Sequence, residues 1–210
     1  MDAGLLTLLR DNPVLFLLLA TALVGAIGLH EYAHALAADL QGDRMPRAMG
    51  RLTPNPIRHL DPLGTLCILL VGFGWGKPVE FRPDALSSKR FGAAFVALAG
   101  PFMNLALALV GAFLYGIVVR SGVSDHLASF FGVFASINVV LAVFNLIPLP
   151  PLDGSRLLTI FLPPHRQNVI FFLDRYGFLI LLALVFFGGL SFLGPIIIGV
   201  RNFLFALAGS

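Results

Sequence analysis

Charge is scarce in this chain. Asp, Glu, Lys and Arg make up 12% of its 210 residues, about half the share of an ordinary soluble domain. So little charge excludes a conventional water-soluble globule. A hydrophobic content of 58% and a mean hydropathy of +0.90 fit one integral-membrane domain instead. Cysteine is nearly absent: the lone Cys67 excludes an internal disulfide and reads as a small apolar residue in a membrane segment. No repeat, linker or soluble module is visible. The net charge of +3 makes no nucleic-acid surface, because the Arg and Lys residues are scattered at segment ends. Met1-Asp2 opens acidic, unlike a cleavable signal peptide.

What is present is a series of apolar runs. Asp11-Asn12-Pro13 predicts a helix start, with a capping residue and then proline in the first turn. The helix is expected to reach about Leu40 and stop at Gly42, long enough to span a bilayer. Residues 43–62 form a basic, proline-rich surface loop. The apolar run from Leu63 to Gly72 is too short to cross and predicts a re-entrant segment. Gly72 to Phe81 reads as a turn and short strand, a β-hairpin-like insertion. Further helices are expected from Ser87 or Ser88 to about Val119, at about 127–147, 168–190 and 192–207. Pro148, Pro150 and Pro151 end the run at 127–147. The fold class is therefore all-α and polytopic, with five to six membrane segments. The domain expectation is one unit over 1–210, with a core of about 13–162 and C-terminal helices at about 168–207.

Charge asymmetry orients the chain. If 63–90 enters and leaves on one side, Arg44, Arg47, Arg51, Arg58, Lys77, Arg82, Lys89, Arg90, Arg156 and Arg166 share a face. Those are ten of fourteen basic residues. The positive-inside rule makes that face cytoplasmic. Loop 43–62, Lys77 and Arg166 then face the cytoplasm, and Ser121–His126 faces out.

Within the first apolar run stands His30-Glu31-Tyr32-Ala33-His34. Histidines at i and i+4 share a helix face and can bind one zinc ion. The intervening Glu31 can serve as general base on an attacking water. At this chain's own frequencies such a pentad arises on the order of once per thousand chains. Ionisable groups at membrane depth are functional candidates by default. A third ligand is needed, and Asp153 is the candidate, in Asn145-Leu146-Ile147-Pro148-Leu149-Pro150-Pro151-Leu152-Asp153-Gly154. Prolines forbid a regular helix there, and irregular backbone at membrane depth is tolerated where it lines a polar cavity. Zinc with two neutral histidines, ionised Asp153 and ionised Glu31 sums to zero charge. The bland reading of Asp153 is a turn residue before Gly154.

His30-Glu31-x-x-His34 together with Asn145-x-x-Pro148-x-x-x-x-Asp153-Gly154 resembles the site-2 protease family of intramembrane zinc metalloproteases. So do Arg58-His59-Leu60-Asp61-Pro62-Leu63-Gly64-Thr65, Gly74-Trp75-Gly76-Lys77-Pro78-Val79 and Ala99-Gly100-Pro101-Phe102-Met103-Asn104. The matching stretches run in the family's order over about 28–160. The resemblance implies a three-helix core, zinc held by His30, His34 and Asp153, and Glu31 as catalytic base. It implies cleavage of transmembrane protein substrates within or near the bilayer, and a compact branch without PDZ or CBS-like modules. It also implies that the Asn145 amide stabilises the oxyanion; by the residues alone a helix-packing amide is an equal reading. Glu80, where relatives often have Pro, and Arg82-Pro83-Asp84 depart from the family pattern.

Asn104 and Asn138 read as interhelical hydrogen-bonding groups. His59 and Asp61 read as loop-structuring, His126 and His165 as solvated, and Arg156 as a topology anchor. A non-hydrolytic zinc-binding protein or metal carrier is the alternative to an enzyme. A carrier would spread ionisable ligands along its spans, whereas this chain concentrates them at one place. A homo-oligomer is compatible with the sequence.

Overall fold

The computed structural model describes residues 9–71, 74–161 and 167–209. Met1, Asp2, Gly72, Phe73, His165 and Arg166, which carried expectations above, lie outside these residues. Seven helices position the site: α1 (Pro13–Leu40), α2 (Pro62–Val71), α3 (Lys89–Ser121), α4 (Asp125–Asn145), α5 (Gly154–Phe161), α6 (Gln167–Phe186) and α7 (Leu193–Leu207). Four described helices are long and apolar enough to cross a membrane: Pro13–Leu40, Phe91–Ser121, Asp125–Asn145 and Asn168–Phe186. The shorter α7 has 15 residues. It covers about 22 Å against a hydrocarbon thickness of ~30 Å.

Local chemistry sets the ends of the long helices. The Asn12 side chain accepts the Leu15 N–H at 3.0 Å, ahead of Pro13 at the first helical position. Gly42, with φ +106°, turns the chain away from α1. Gly122 (φ +64°) closes α3. Ser124 then caps α4 by accepting the Leu127 N–H at 3.3 Å.

Helices α1, α3 and α4 pack mutually and form the core. Its buried residues are mostly small: Ala22, Ala26, Ala94, Ala108, Ala112 and Ala135 are at most 4% exposed. Large side chains such as Phe95, Phe102 and Phe113 point outward. Lipid is as apolar as Leu, so burial of large chains does not drive association, and small residues let backbones approach. A Cβ on Gly111 would lie 3.2 Å from the Ala135 nitrogen, a measure of how close α3 and α4 come.

Two expectations changed in form. Residues 74–81 are extended, but no described residue belongs to a strand. One antiparallel bridge joins Leu60 and Gly76, and the Lys77 N–H donates to His59 O at 2.7 Å. Pro78 has no N–H to continue a ladder. The stretch after the Pro148–Pro151 break also holds α5, a short amphipathic helix that the proline signals concealed.

The loop after α1 is tightly tied. Asp39 accepts from Arg44 (3.0 Å) and from two nitrogens of Arg47 (3.0 and 2.8 Å). Asp43, fully buried, accepts the Arg82 N–H at 2.6 Å and its guanidinium at 3.3 Å. His59 is buried, with Nε2 2.8 Å from Thr53 O. Asp61 accepts the Gly64 N–H at 2.7 Å at the start of α2. His59 and Asp61 structure this loop.

Candidate metal centre

One helical turn places His30 and His34 side by side on the inner face of α1, 6% and 7% exposed. Their Nε2 atoms are 3.1 Å apart. Asp153 Oδ2 lies 3.1 Å from His30 Nε2 and 3.3 Å from His34 Nε2. The Asp153 loop is seated by Leu149 and Leu152, which pack on Leu181 of α6. Gly154 presses on the same loop: a Cβ there would lie 2.5 Å from Ile147 O. The expected trio thus converges from α1 and from a segment more than a hundred residues later.

Hydrogen-bond direction decides what converges. Asn138 Nδ2 donates to Phe134 O at 2.8 Å, so its Oδ1 is the atom that faces Asn104. Asn104 Nδ2 donates to that Oδ1 at 2.8 Å. Asn104 Oδ1 is then left as acceptor, and His30 Nδ1 lies 2.5 Å away and must donate. His34 Nδ1 lies 2.7 Å from Val96 O, a pure acceptor, and must donate too. Neutral imidazole carries one N–H. With both rings neutral, the state in which imidazole binds a metal, the two Nε2 atoms present lone pairs, and Asp153 Oδ2 is a buried acceptor with no hydrogen-bond partner.

Three such acceptors held 3.1–3.3 Å apart repel unless a proton or a metal cation is shared among them. Ligands ~2.0–2.1 Å from a tetrahedral zinc stand ~3.3–3.4 Å apart. The donor set and its spacing fit zinc. The pairing of each Nδ1–H with an oxygen is the arrangement that fixes ring orientation in metal sites.

Glu31 points into the adjoining cavity, where its Oε2 accepts the Val79 N–H at 3.2 Å. The cavity measures about 1250 Å³. Its lining includes Trp75, Pro78, Asn145, Arg156 and Phe178. Asn145, the last residue of α4, donates to Leu141 O of its own helix at 3.0 Å. His126 stands exposed in the first turn of α4 and takes no part.

Sequence reasoning missed three supports. Asn104 and Asn138 orient His30 rather than merely join helices. The available signal was two amides in apolar helices, since buried polar groups demand partners. Gly100 was noted only within a motif. A Cβ there would lie 2.5 Å from His30 Cε1 and 2.6 Å from His34 Cε1, so α3 lies flush against both rings. Nothing in the sequence flagged the Val79 backbone as a partner of Glu31.

Such a constellation defines a class: metallopeptidases built on a helix-borne histidine pair, here set among membrane helices. The chain belongs to peptidase family M50, whose family model matches residues 18–128 and 117–186. It is 40% identical over 172 residues to the Bacillus subtilis protein named "Putative zinc metalloprotease YwhC", covering 79% of this chain and 78% of that one. It is 31% identical over 178 residues to "Putative zinc metalloprotease Rip2" of Mycolicibacterium smegmatis, covering 81% and 67%. A match to the Methanocaldococcus jannaschii "Putative zinc metalloprotease MJ0611" reaches 42% over 99 residues, 46% of this chain and 49% of that one. No solved structure matches. The protein is a multi-pass membrane zinc metalloprotease.

Proposed function

We propose that this protein is an intramembrane zinc endopeptidase that hydrolyses peptide bonds within or near transmembrane segments of membrane-protein substrates. The observation that carries this reading is the convergence of three potential ligand atoms beside a cavity-facing glutamate, among helices apolar enough to span a bilayer. His30, His34 and Asp153 hold the metal. When bound, zinc supplies a Lewis acid that polarises the scissile carbonyl and acidifies water. Glu31 takes a proton from the attacking water and passes it to the departing amine. Asn145 borders the same cavity with one amide proton beyond its Leu141 bond, available to a developing oxyanion.

A transmembrane helix hides its peptide bonds in its own hydrogen bonds, so cleavage requires local unwinding. Freed backbone groups cannot stay unpaired in lipid. The extended segment 74–81, beside Glu31, is the natural surface to pair with an unwound substrate. The site belongs to the cytoplasmic side, with α2 re-entering from that side, on the charge asymmetry. Residues 1–210 act as one domain.

The test is zinc content and cleavage of a model transmembrane substrate. Glu31→Gln should keep zinc and lose cleavage; Asp153→Ala should lose both. Near-normal turnover by Glu31→Gln, or one tightly held zinc in Asp153→Ala, would overturn the assignments. Cysteine labelling at positions 82 and 122 in a Cys67→Ser background should occur from opposite faces; labelling from one face removes the orientation.

A further inference from the structure

The catalytic cavity has a neighbour that this chemistry does not use. A second cavity of about 670 Å³ lies toward the opposite end of α1. It is lined by Leu15 and Leu19 of α1, Ser129 and Val133 of α4, Tyr115 of α3 and Arg201 of α7. Ser136 and Ile137 of α4 line both cavities, so the two meet along one wall. On α1 the lining continues as Leu15, Leu19, Leu23 and Ile27, a row at four-residue spacing that runs into His30 and Glu31. From Leu15 to Glu31 the row is about 24 Å long at 1.5 Å per residue. That is most of the ~30 Å hydrocarbon thickness.

Arg201 gives this track a chemical preference. A guanidinium on an apolar membrane helix is costly and asks for a partner. Among the described residues no carboxylate lies within ion-pairing distance of it, and its contact is the Phe205 ring, 5.3 Å from the guanidinium carbon. Small residues accompany it: Ser129, Gly132 and Ser136 line the α4 side, where a close-packed helix needs room.

We propose that α1 and α4 form a seat for the substrate's transmembrane helix, and that Arg201 pairs with an acidic side chain of that helix about 16 residues from the cleaved bond. This inference rests on the peptidase reading above and names the substrate feature which that site selects. An anionic phospholipid would satisfy Arg201 from the second cavity alone. The wall shared with the catalytic cavity favours a long occupant that reaches both.

The experiment uses the full chain in membranes, carrying Glu31→Gln and a photo-crosslinking residue at position 19 or 133. Two single-span substrates are compared, with Glu or Lys 16 positions from the cleavable bond. Both positions should crosslink the Glu substrate, several-fold more strongly than the Lys substrate. Arg201→Glu should reverse that preference. It should also reverse the ratio of kcat/KM values in the Glu31 protein, by roughly fivefold each way for a partly exposed pair. Crosslinking without any Glu/Lys discrimination by the wild-type Arg201 protein overturns the pairing even if the variant misfolds. Crosslinking of an anionic photoreactive lipid that substrate does not displace also overturns it. Cleavage without discrimination sinks the seat and leaves the peptidase. Discriminating crosslinks without cleavage by the Glu31 protein sink the peptidase and leave the seat.

Discussion

The backbone N–H of Val79 donates to Oε2 of Glu31 across 3.2 Å, so the extended segment is fastened to the proposed catalytic base. An N–H bonded to a carboxylate is worth more than a neutral pair. It holds Glu31 toward the cavity and spaces the 74–81 segment from α1. Val79→Pro deletes the donor. We expect kcat/KM on transmembrane substrates to fall by about tenfold or more, from the ~1.5–3 kcal/mol of a hydrogen bond to a charged group. Zinc content should hold. Unchanged kinetics across several substrates would leave the segment as a surface turn carrying Trp75.

Gly100 is where α3 touches both imidazoles. Gly100→Ala would drive a methyl group into the His30 and His34 rings, and overpacking typically costs ~1–3 kcal/mol. Ring displacement should appear as weakened zinc retention under chelator challenge. Retention equal to the parent protein would mean that α3 shifts at little cost.

Asn104 holds His30 in the tautomer that presents Nε2. Asn104→Ala frees the ring to rotate or change tautomer, and loss of such a partner typically lowers metal affinity ~10–100-fold. Asn104→Asp keeps an acceptor facing Nδ1 and should recover part of it. Equal zinc affinity in parent and Asn104→Ala would show that packing alone orients the ring.

Asp43 makes stability depend on pH. Burial pushes its carboxyl up, but the Arg82 and Met45 N–H groups and the Arg82 guanidinium outweigh that and hold it below the usual carboxylate range. A pKa lowered on folding contributes stability that is fully present above the ordinary carboxylate value of about 4 and is lost as pH falls through the folded value. Thermal unfolding in detergent should show the parent losing stability over that acid range, and Asp43→Asn losing less. Parallel pH profiles for the two proteins would remove Asp43 from the linkage.

The helices of the core were legible because their signals are local. Asn12 and Pro13 announce the start of α1, apolar length gives its span, and Gly42 gives its end. His30 and His34 declare their partnership by spacing alone, since a helix fixes which side chains share a face. Asp153 was reachable through charge balance and motif, because an uncompensated cation is expensive away from water. The extended segment was legible as turn chemistry, but its pairing was not: whether it forms a hairpin or one bridge to Leu60 depends on backbone partners nearly twenty residues away. Tertiary structure alone decided that Asn138 orders Asn104, that Asn104 and Val96 set the two imidazole tautomers, and that Gly100 gives them room. It alone aimed Val79 at Glu31 and put Ser136 and Ile137 in the lining of two cavities. Spacing fixes neighbours along one helix; which atom of a distant residue arrives opposite them is set by how helices pack, and packing among small apolar residues leaves no periodic trace in the chain.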